Sequence, residues 1–285
     1  MDNLIQIFLP VLFLSVLGLL LGLALAFAAK KFAIKDDPRI DEITDILPGA
    51  NCGGCGYAGC AAAAKAMVEG EAKVTACTVG GDAIAEKIAE LLGVKAEKTV
   101  RMRAQVMCSG TSEFSRKKYI YKGAKDCHAV ARLGGGDRLC HDGCIGLGTC
   151  AKMCKFDAIH VEDGVAAVDY EKCQGCGVCV VSCPKHLIKL IPYDSKHWVG
   201  CRSIEKGATT RKVCDIGCIG CRMCEKACEE GAITVNSFLA EIDYSKCVGC
   251  DKCVTACKRN IIWSNIRQDQ YGLTLDHDEI KQING

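Results

Sequence analysis

The cysteine content of this chain constrains its fold more than any other feature, since 24 of its 285 residues are cysteine. A density of about one in twelve is typical of small disulfide-rich secreted domains and of proteins that bind metal clusters. Trp, Tyr and Phe number only 2, 7 and 7, so the apolar core is thin for a chain of this length. The composition therefore predicts that bound metal holds much of the fold together.

Charge and motif content exclude several classes of function. Lys and Arg number 36 and Asp and Glu 34, for a net charge of +2, which excludes a nucleic-acid binder that relies on a large basic field. No phosphate-binding loop or dinucleotide-binding glycine motif is present, so direct nucleotide binding is not expected. No flavin is assigned, and no pairing of a nucleophile with a base predicts a catalytic residue.

The N-terminal segment is long and apolar. Ile7 to Ala29 is free of charge and would span roughly 34 Å as a helix. A cleaved signal peptide is the alternative, but Asp2 replaces the usual basic start and no convincing cleavage site follows. We therefore predict a single-pass transmembrane anchor in the cytoplasmic (inner) membrane. Three lysines follow it closely, which places the cysteines on the cytoplasmic side.

This location bears on the chemistry of the cysteines. Thiols in the cytoplasm are kept reduced, so a framework of disulfides is not expected there. Clustered cysteines in such a compartment are typical of metal sites.

The second half of the chain contains an internal repeat. Cys140 to Cys183 matches Cys214 to Cys257, and each copy begins with two cysteines separated by three residues. Each copy also carries two short strand patterns between two cysteine-rich loops, AIHV with AAVDY in the first and AITV with AEIDY in the second. We predict a small β-hairpin in each copy and a short helix after each loop.

The cysteine spacing favours iron–sulfur clusters. The pattern C-x2-C-x2-C-x3-C begins at Cys173, Cys218 and Cys247. Three cysteines at this spacing surround one 4Fe-4S cluster, while the fourth, which we expect at the start of a following helix, ligates the other cluster of the pair. Zinc is the alternative metal, but zinc sites usually combine one C-x2-4-C pair with a distant second pair.

The spacing assigns twenty cysteines to five clusters. The sets are Cys52, Cys55, Cys60 and Cys77 near the N-terminus; Cys140, Cys144, Cys150 and Cys183, and Cys154, Cys173, Cys176 and Cys179 in the first repeat; and Cys218, Cys221, Cys224 and Cys257, and Cys228, Cys247, Cys250 and Cys253 in the second. The first repeat departs from the pattern because Leu147 stands where the second has Cys221. Cys140 is assigned as the substitute because it is the nearest unused thiol.

Four cysteines remain outside these sets: Cys108, Cys127, Cys201 and Cys214. They form either a sixth cluster or a group of unligated thiols, since free cysteine is often an ordinary small buried residue. An exchange of roles among Cys127, Cys140 and Cys214 fits the spacing equally well. We therefore expect five to six 4Fe-4S clusters per chain.

These features predict an α+β chain with one transmembrane helix, a small helical 4Fe-4S domain and two tandem two-cluster modules similar to bacterial ferredoxin. The expected bounds are a transmembrane anchor at 1–29, a linker at 30–46, a 4Fe-4S domain at 47–81, a connecting helix at 82–105, a first two-cluster module at 106–194, a second at 195–263 and a polar tail at 264–285. We expect the linker to be a solvated spacer, because it carries five carboxylates between residues 35 and 45.

The order of these elements resembles one family. An apolar N-terminal segment, the sequence LPGANCGGCGYAGC and a double ferredoxin module together are similar to the B subunit of the Rnf electron transport complex. The resemblance covers the chain up to about Trp263, and the order of elements is more specific than any one motif. It implies an electron-transfer subunit of an ion-translocating ferredoxin:NAD+ oxidoreductase. Such a subunit takes electrons from soluble ferredoxin and passes them to membrane and peripheral partner subunits.

Two other functions fit part of this pattern. The chain could be a polyferredoxin subunit of another membrane oxidoreductase, such as a hydrogenase, which only its native partners would distinguish. It could also be a zinc-binding structural membrane protein, which would contain zinc and no iron. Because no charged residue lies within the apolar N-terminal run, we expect ion passage to belong to partner subunits.

Overall fold

The computed structural model of the protein describes residues 2–31 and 37–264, which contain ten helices and eight short strands. Helix α1, Asp2–Lys31, comes first. Among the described residues, no helix combines the length and the apolar character that a membrane crossing requires. The predicted transmembrane anchor is therefore wrong. The prediction rested on the length and the uncharged, apolar character of the run from Ile7 to Ala29, and an apolar run in a sequence is not by itself a membrane-crossing helix.

Three helices form the small N-terminal domain: α2, Pro38–Ile46; α3, Cys60–Val68; and α4, Gly81–Leu92. They pack around one apolar core, which includes Ile43, Leu47, Ala64, Met67 and Ile88. Ile43 and Ile88 are fully buried, so both α2 and α4 contribute to this core. Residues 38–46 are thus part of the domain and not the solvated spacer that their carboxylates suggested.

Each module contains the β-hairpin that its sequence predicts. In the first module β2, Ile159–Glu162, pairs antiparallel with β3, Val165–Val168. In the second module β6, Ile233–Asn236, pairs with β7, Leu239–Ile242. The alternation of apolar side chains directs one face of each hairpin inward, so that Ile159, Val168, Ile233 and Val235 are buried.

Two further sheets join distant parts of the chain and close each module. Strand β1, Met102–Val106, pairs antiparallel with β4, Ile188–Pro192. Strand β5, His197–Val199, pairs antiparallel with β8, Ile262–Ser264. Two short helices, α5 and α8, occupy Cys127–Arg132 and Gly207–Val213. The first module therefore begins at β1, and the expected connecting segment 82–105 is divided between α4 and this strand. Of the expected polar tail, residues 265–285 lie outside the described residues.

The two modules contact each other along a polar seam. The Ser109 amide donates a hydrogen bond of 2.9 Å to the Gly200 carbonyl, and Ser115 forms an isolated antiparallel bridge with Cys214. Arg116 donates to the Lys212 carbonyl at 2.6 Å. Backbone groups of the first module are thus held directly against the loop that opens the second repeat.

Candidate metal centres

Four helices of one turn position the cysteines of the two modules. They are α6, Thr149–Met153; α7, Val178–Ser182; α9, Met223–Ala227; and α10, Lys252–Ala256. Each contains the third cysteine of its motif, and the fourth cysteine follows the last helical residue in an extended conformation. The expectation that the fourth cysteine begins a following helix is wrong, because the C-x3-C spacing is itself the single helical turn.

The second module brings its cysteines together as two groups. One cavity of about 340 Å³ is lined by Cys218, Cys221, Cys224 and Cys257. Burial raises the pKa of Cys224 to about 12, with repulsion from Cys257 as the next cause. At the other end of the module, burial and then repulsion from Cys247 and Cys250 raise the pKa of Cys253 to about 11, and Cys228 adds to the effect. The crossed pairing expected from the spacing therefore matches the positions of these thiols.

The first module contains one group that matches its expected set. Burial raises the pKa of Cys179 to about 12, and repulsion from Cys173, Cys176 and Cys154 adds to it. In the small domain, burial raises the pKa of Cys77, which lies close enough to Cys55 and Cys60 for their thiolates to repel it.

The other group of the first module differs from its expected set. A cavity of about 410 Å³ is lined by Cys127, Cys144, Cys150 and Cys183, and not by Cys140. Burial and then repulsion from Cys127 and Cys183 raise the pKa of Cys150 to about 11. Cys127 is the first residue of α5, and its amide donates a hydrogen bond of 2.8 Å to the Thr149 hydroxyl at the start of α6.

This difference has a structural cause. Leu147 removes the middle cysteine of the loop, and α5 supplies a thiol from earlier in the chain. The Asp126 carboxylate accepts hydrogen bonds from the His128 amide at 3.0 Å and the Thr149 hydroxyl at 3.1 Å, so it ties the start of α5 to α6. Proximity in sequence favoured Cys140, but folding brings Cys127 closer. The exchange of Cys127 and Cys140 left open by the spacing is the arrangement that matches the cavities.

The four cysteines that remain also lie together. Cys108, Cys140, Cys201 and Cys214 line a separate cavity of about 360 Å³. Burial raises the pKa of Cys140 to about 12, followed by repulsion from Cys108. Three cavities of similar size, each lined by four cysteines, thus lie in residues 102–264.

The chemistry of these cavities fits an iron–sulfur cluster. Thiolate is the ligand that 4Fe-4S clusters require, and a thiolate buried without a cation is unfavourable, which is why burial raises these thiol pKa values. Bound iron replaces the thiol protons and removes this penalty. Among the described residues, no group of His, Cys, Asp or Glu converges closely enough to hold a single metal ion.

Backbone amides point at several of the sulfurs. The amides of Ala158, Leu187 and Ala232 donate to the sulfurs of Cys154, Cys183 and Cys228 at 3.4, 3.5 and 3.3 Å. Each donor lies four residues after its cysteine, so the turns after α6, α7 and α9 repeat this hydrogen bond. Hydrogen bonds to sulfur are one of the factors that set the reduction potential of a cluster.

Comparison with known families agrees with this chemistry. The family described as "Putative Fe-S cluster" matches residues 47–79, "4Fe-4S binding domain" matches residues 166–189 and "4Fe-4S dicluster domain" matches residues 217–261. These three regions fall in the small domain, the first module and the second module.

Curated relatives match most of the chain. The B subunit of the Na(+)-translocating ferredoxin:NAD(+) oxidoreductase complex of Acetobacterium woodii is 44% identical over 84% of this chain and 72% of its own length. The B subunit of the ion-translocating oxidoreductase complex of Methanosarcina acetivorans is 42% identical over 82% and 89%. The B subunit of the proton-translocating ferredoxin:NAD(+) oxidoreductase complex of Clostridium ljungdahlii is 39% identical over 81% and 82%. The chain therefore belongs to the family of B subunits of Rnf-type ion-translocating oxidoreductase complexes.

Proposed function

We propose that this protein accepts electrons from reduced ferredoxin and passes them through a series of 4Fe-4S clusters to the partner subunits of an Rnf-type complex. It is an iron–sulfur electron-transfer subunit, as its family and its 4Fe-4S regions indicate. One observation supports the proposed route above all others: thiols of neighbouring groups lie close together, Cys52 to Cys176 and Cys150 to Cys179. A 4Fe-4S cluster accepts and releases single electrons, which is the chemistry that such a series of sites requires.

Five of the proposed clusters take ligands that the spacing, the cavities or the proximity of the thiols favours. The sets are Cys52, Cys55, Cys60 and Cys77; Cys154, Cys173, Cys176 and Cys179; Cys127, Cys144, Cys150 and Cys183; Cys218, Cys221, Cys224 and Cys257; and Cys228, Cys247, Cys250 and Cys253. Cys127 takes the place first given to Cys140. The chain's own contribution is to hold these thiolates, to direct amides at sulfur and to exclude water.

Exposure suggests where electrons enter. Among the cysteines, all of which lie in the described residues, only Cys221 and Cys250 are exposed. Both belong to the second module, and they come from its two different groups. We infer that soluble ferredoxin approaches the second module, where the distance from solvent to a cluster ligand is shortest.

At the opposite end of the chain, the small domain lies against the first module. Repulsion from Cys52 contributes to the raised pKa of Cys176, after burial, so thiols of the two units are neighbours. We infer that electrons leave through the small domain toward the partner subunits. The complex acts at a membrane because its relatives translocate ions, and their names give sodium for one and protons for another. Similarity to them therefore assigns no coupling ion to this chain.

Iron and sulfide analysis tests the identity of the cofactor. We expect full-length protein purified without oxygen to contain at least 20 iron and 20 sulfide per chain, since about five 4Fe-4S clusters each contribute four of both. Reduced ferredoxin is expected to bleach the visible absorption of these clusters. Stoichiometric zinc with little iron would instead support the structural zinc protein and overturn the electron-transfer function.

Isolation of the native partners tests the assignment to the complex. We expect a tagged chain, purified from its own membranes in mild detergent, to carry with it the membrane and nucleotide-binding subunits of an Rnf-type complex. Recovery of hydrogenase subunits in their place would favour a polyferredoxin role in another oxidoreductase. A tagged protein with no role in electron transfer, purified from the same cells in the same way, serves as the control for unspecific capture.

A further inference from the structure

We propose that Cys108, Cys140, Cys201 and Cys214 hold a sixth 4Fe-4S cluster, which lies between the two modules and connects their inner clusters. This inference rests on the electron-transfer function proposed above. It adds the cluster through which electrons would pass from one module to the other. None of the regions that match known 4Fe-4S families, 47–79, 166–189 and 217–261, contains any of these four residues.

The size and lining of the cavity support this site. Its volume of about 360 Å³ lies between the volumes of the two cavities lined by the predicted cluster ligands, about 410 and 340 Å³. Glycine keeps its walls close to the sulfurs, since a methyl group built on Gly110 would lie 3.5 Å from the Cys214 sulfur and 3.8 Å from the Cys108 sulfur. The cavity therefore offers four thiols, two of which lie beside the backbone of a glycine.

The internal repeat also produces this arrangement. Cys140 and Cys214 occupy the same position in the two copies, four residues before Cys144 and Cys218. Cys108 and Cys201 are likewise equivalent, since each follows by two residues the end of a module-closing strand, β1 or β5. The site thus takes one equivalent pair of cysteines from each module, as a site on the pseudo-symmetric seam between two copies of one unit should.

A buried positive group near the cavity, the guanidinium of Arg138, favours a bound anion. Arg138 is 3% exposed and donates to the Gly110 carbonyl, a cavity-lining residue, at 2.7 Å. Within the described part of the chain no carboxylate pairs with its guanidinium, and its Nε has no hydrogen-bond partner. A buried unpaired guanidinium is costly, and four thiolates with their cluster supply the negative charge that offsets it. Asp142 also lines the cavity, and its charge opposes this effect.

Contacts of the same four cysteines connect the site to both modules. The Cys144 amide lies 3.5 Å from the Cys108 sulfur, to which it donates a hydrogen bond. On the other side, the Cys218 amide donates a hydrogen bond to the Cys201 sulfur. Cys144 and Cys218 belong to the inner groups of the first and second modules. The sixth site is therefore adjacent to a ligand of each.

Paired substitutions in the full-length protein test this ligand set. Cys140→Ala with Cys201→Ala removes two ligands from one proposed site, whereas Cys127→Ala with Cys201→Ala removes one ligand from each of two sites. We expect about 24 iron and 24 sulfide in the parent protein, about 20 in the first variant and about 16 in the second. Visible absorption and electron paramagnetic resonance of the reduced proteins should fall in the same proportion.

Other results would overturn the inference in recognisable ways. The reverse order, about 16 in the first variant and 20 in the second, would return Cys140 to the first module's own cluster. About 20 iron in the parent, with none lost from the first variant, would make these four residues free thiols while the electron-transfer function still stood. Should a variant fail to fold, the iron and sulfide count of the parent alone decides between five clusters and six.

Discussion

Removal of the iron–sulfur clusters is expected to unfold residues 102–264 while the helical core around Ile43 and Ile88 persists. The two modules consist of two-stranded sheets with strands of three to five residues and of helices no longer than seven residues. Elements of this length are not stable in isolation. Their stability depends on the side chains that they pack against.

Cysteine side chains form much of the core that the strands and helices of each module pack against. In the second module, Cys218, Cys224, Cys253 and Cys257 belong to the buried core, and in the first Cys150, Cys173 and Cys179 do. Cysteines of both modules line cavities that bound clusters would fill. Binding of a metal at a structural site contributes on the order of 10 kcal/mol to the free energy of folding. This is comparable to the whole stability of an ordinary domain.

The measurement is limited proteolysis with mass mapping of the cuts, together with far-ultraviolet circular dichroism. Clusters are removed anaerobically with a chelator and a mild oxidant, and a sample treated with the chelator alone serves as the control. We expect rapid cleavage throughout 102–264 and slower cleavage within 38–92, where three helices share an apolar core. Continued protection of 102–264 after iron loss would show that ordinary packing suffices and would contradict this account.

Local features of the fold were predictable because they depend on residues close in sequence. The hairpins follow from alternation between Ile159 and Val168 and between Ile233 and Ile242, and the structure confirms them. The 4Fe-4S chemistry follows from spacings of two and three residues, which a single loop and one helical turn can satisfy. The family follows from the order of such local motifs along the chain.

Features that depend on distant residues were not predictable in the same way. The pairing of β1 with β4 joins segments more than eighty residues apart, and nothing in five residues of β1 indicates its partner. The position of Cys127 beside Cys150 also depends on residues that are distant in sequence. The Cys127 amide donates a hydrogen bond to the Thr149 hydroxyl, which holds the two helices together there. Leu147 indicates that the loop lacks its middle cysteine, but only the fold places the thiol of Cys127 beside Cys150.

Gly54→Val is expected to slow electron transfer between the small domain and the first module while leaving every cluster in place. A methyl group built on Gly54 would collide with the Cys176 carbonyl oxygen and lie 2.8 Å from the Cys176 Cβ. The loop that carries Cys176 cannot simply retreat, because a methyl group on Gly175 would in turn collide with the Met102 carbonyl. The added side chain therefore has to push the two units apart.

This separation acts at Cys52 and Cys176, where thiols of the two units are neighbours. Electron tunnelling falls exponentially with the distance between the clusters, so we expect the transfer from the first module to the small domain to be slower by several-fold. No cysteine is altered, so iron and sulfide per chain should equal those of the parent. The rate of electron transfer and the iron and sulfide content together distinguish a longer distance between clusters from the loss of a cluster.

The experiment mixes the full-length protein with reduced ferredoxin and follows the reduction of the clusters by rapid freezing and electron paramagnetic resonance. We expect clusters of the two modules to be reduced at the parent rate and the cluster of the small domain to lag. Ala58→Val is the matched control, because Ala58 lies in the same loop and its side chain is exposed, and it should behave as the parent does. Equal rates in Gly54→Val and the parent would mean that electrons do not cross at Cys176, and the exit through the small domain would then have to be abandoned.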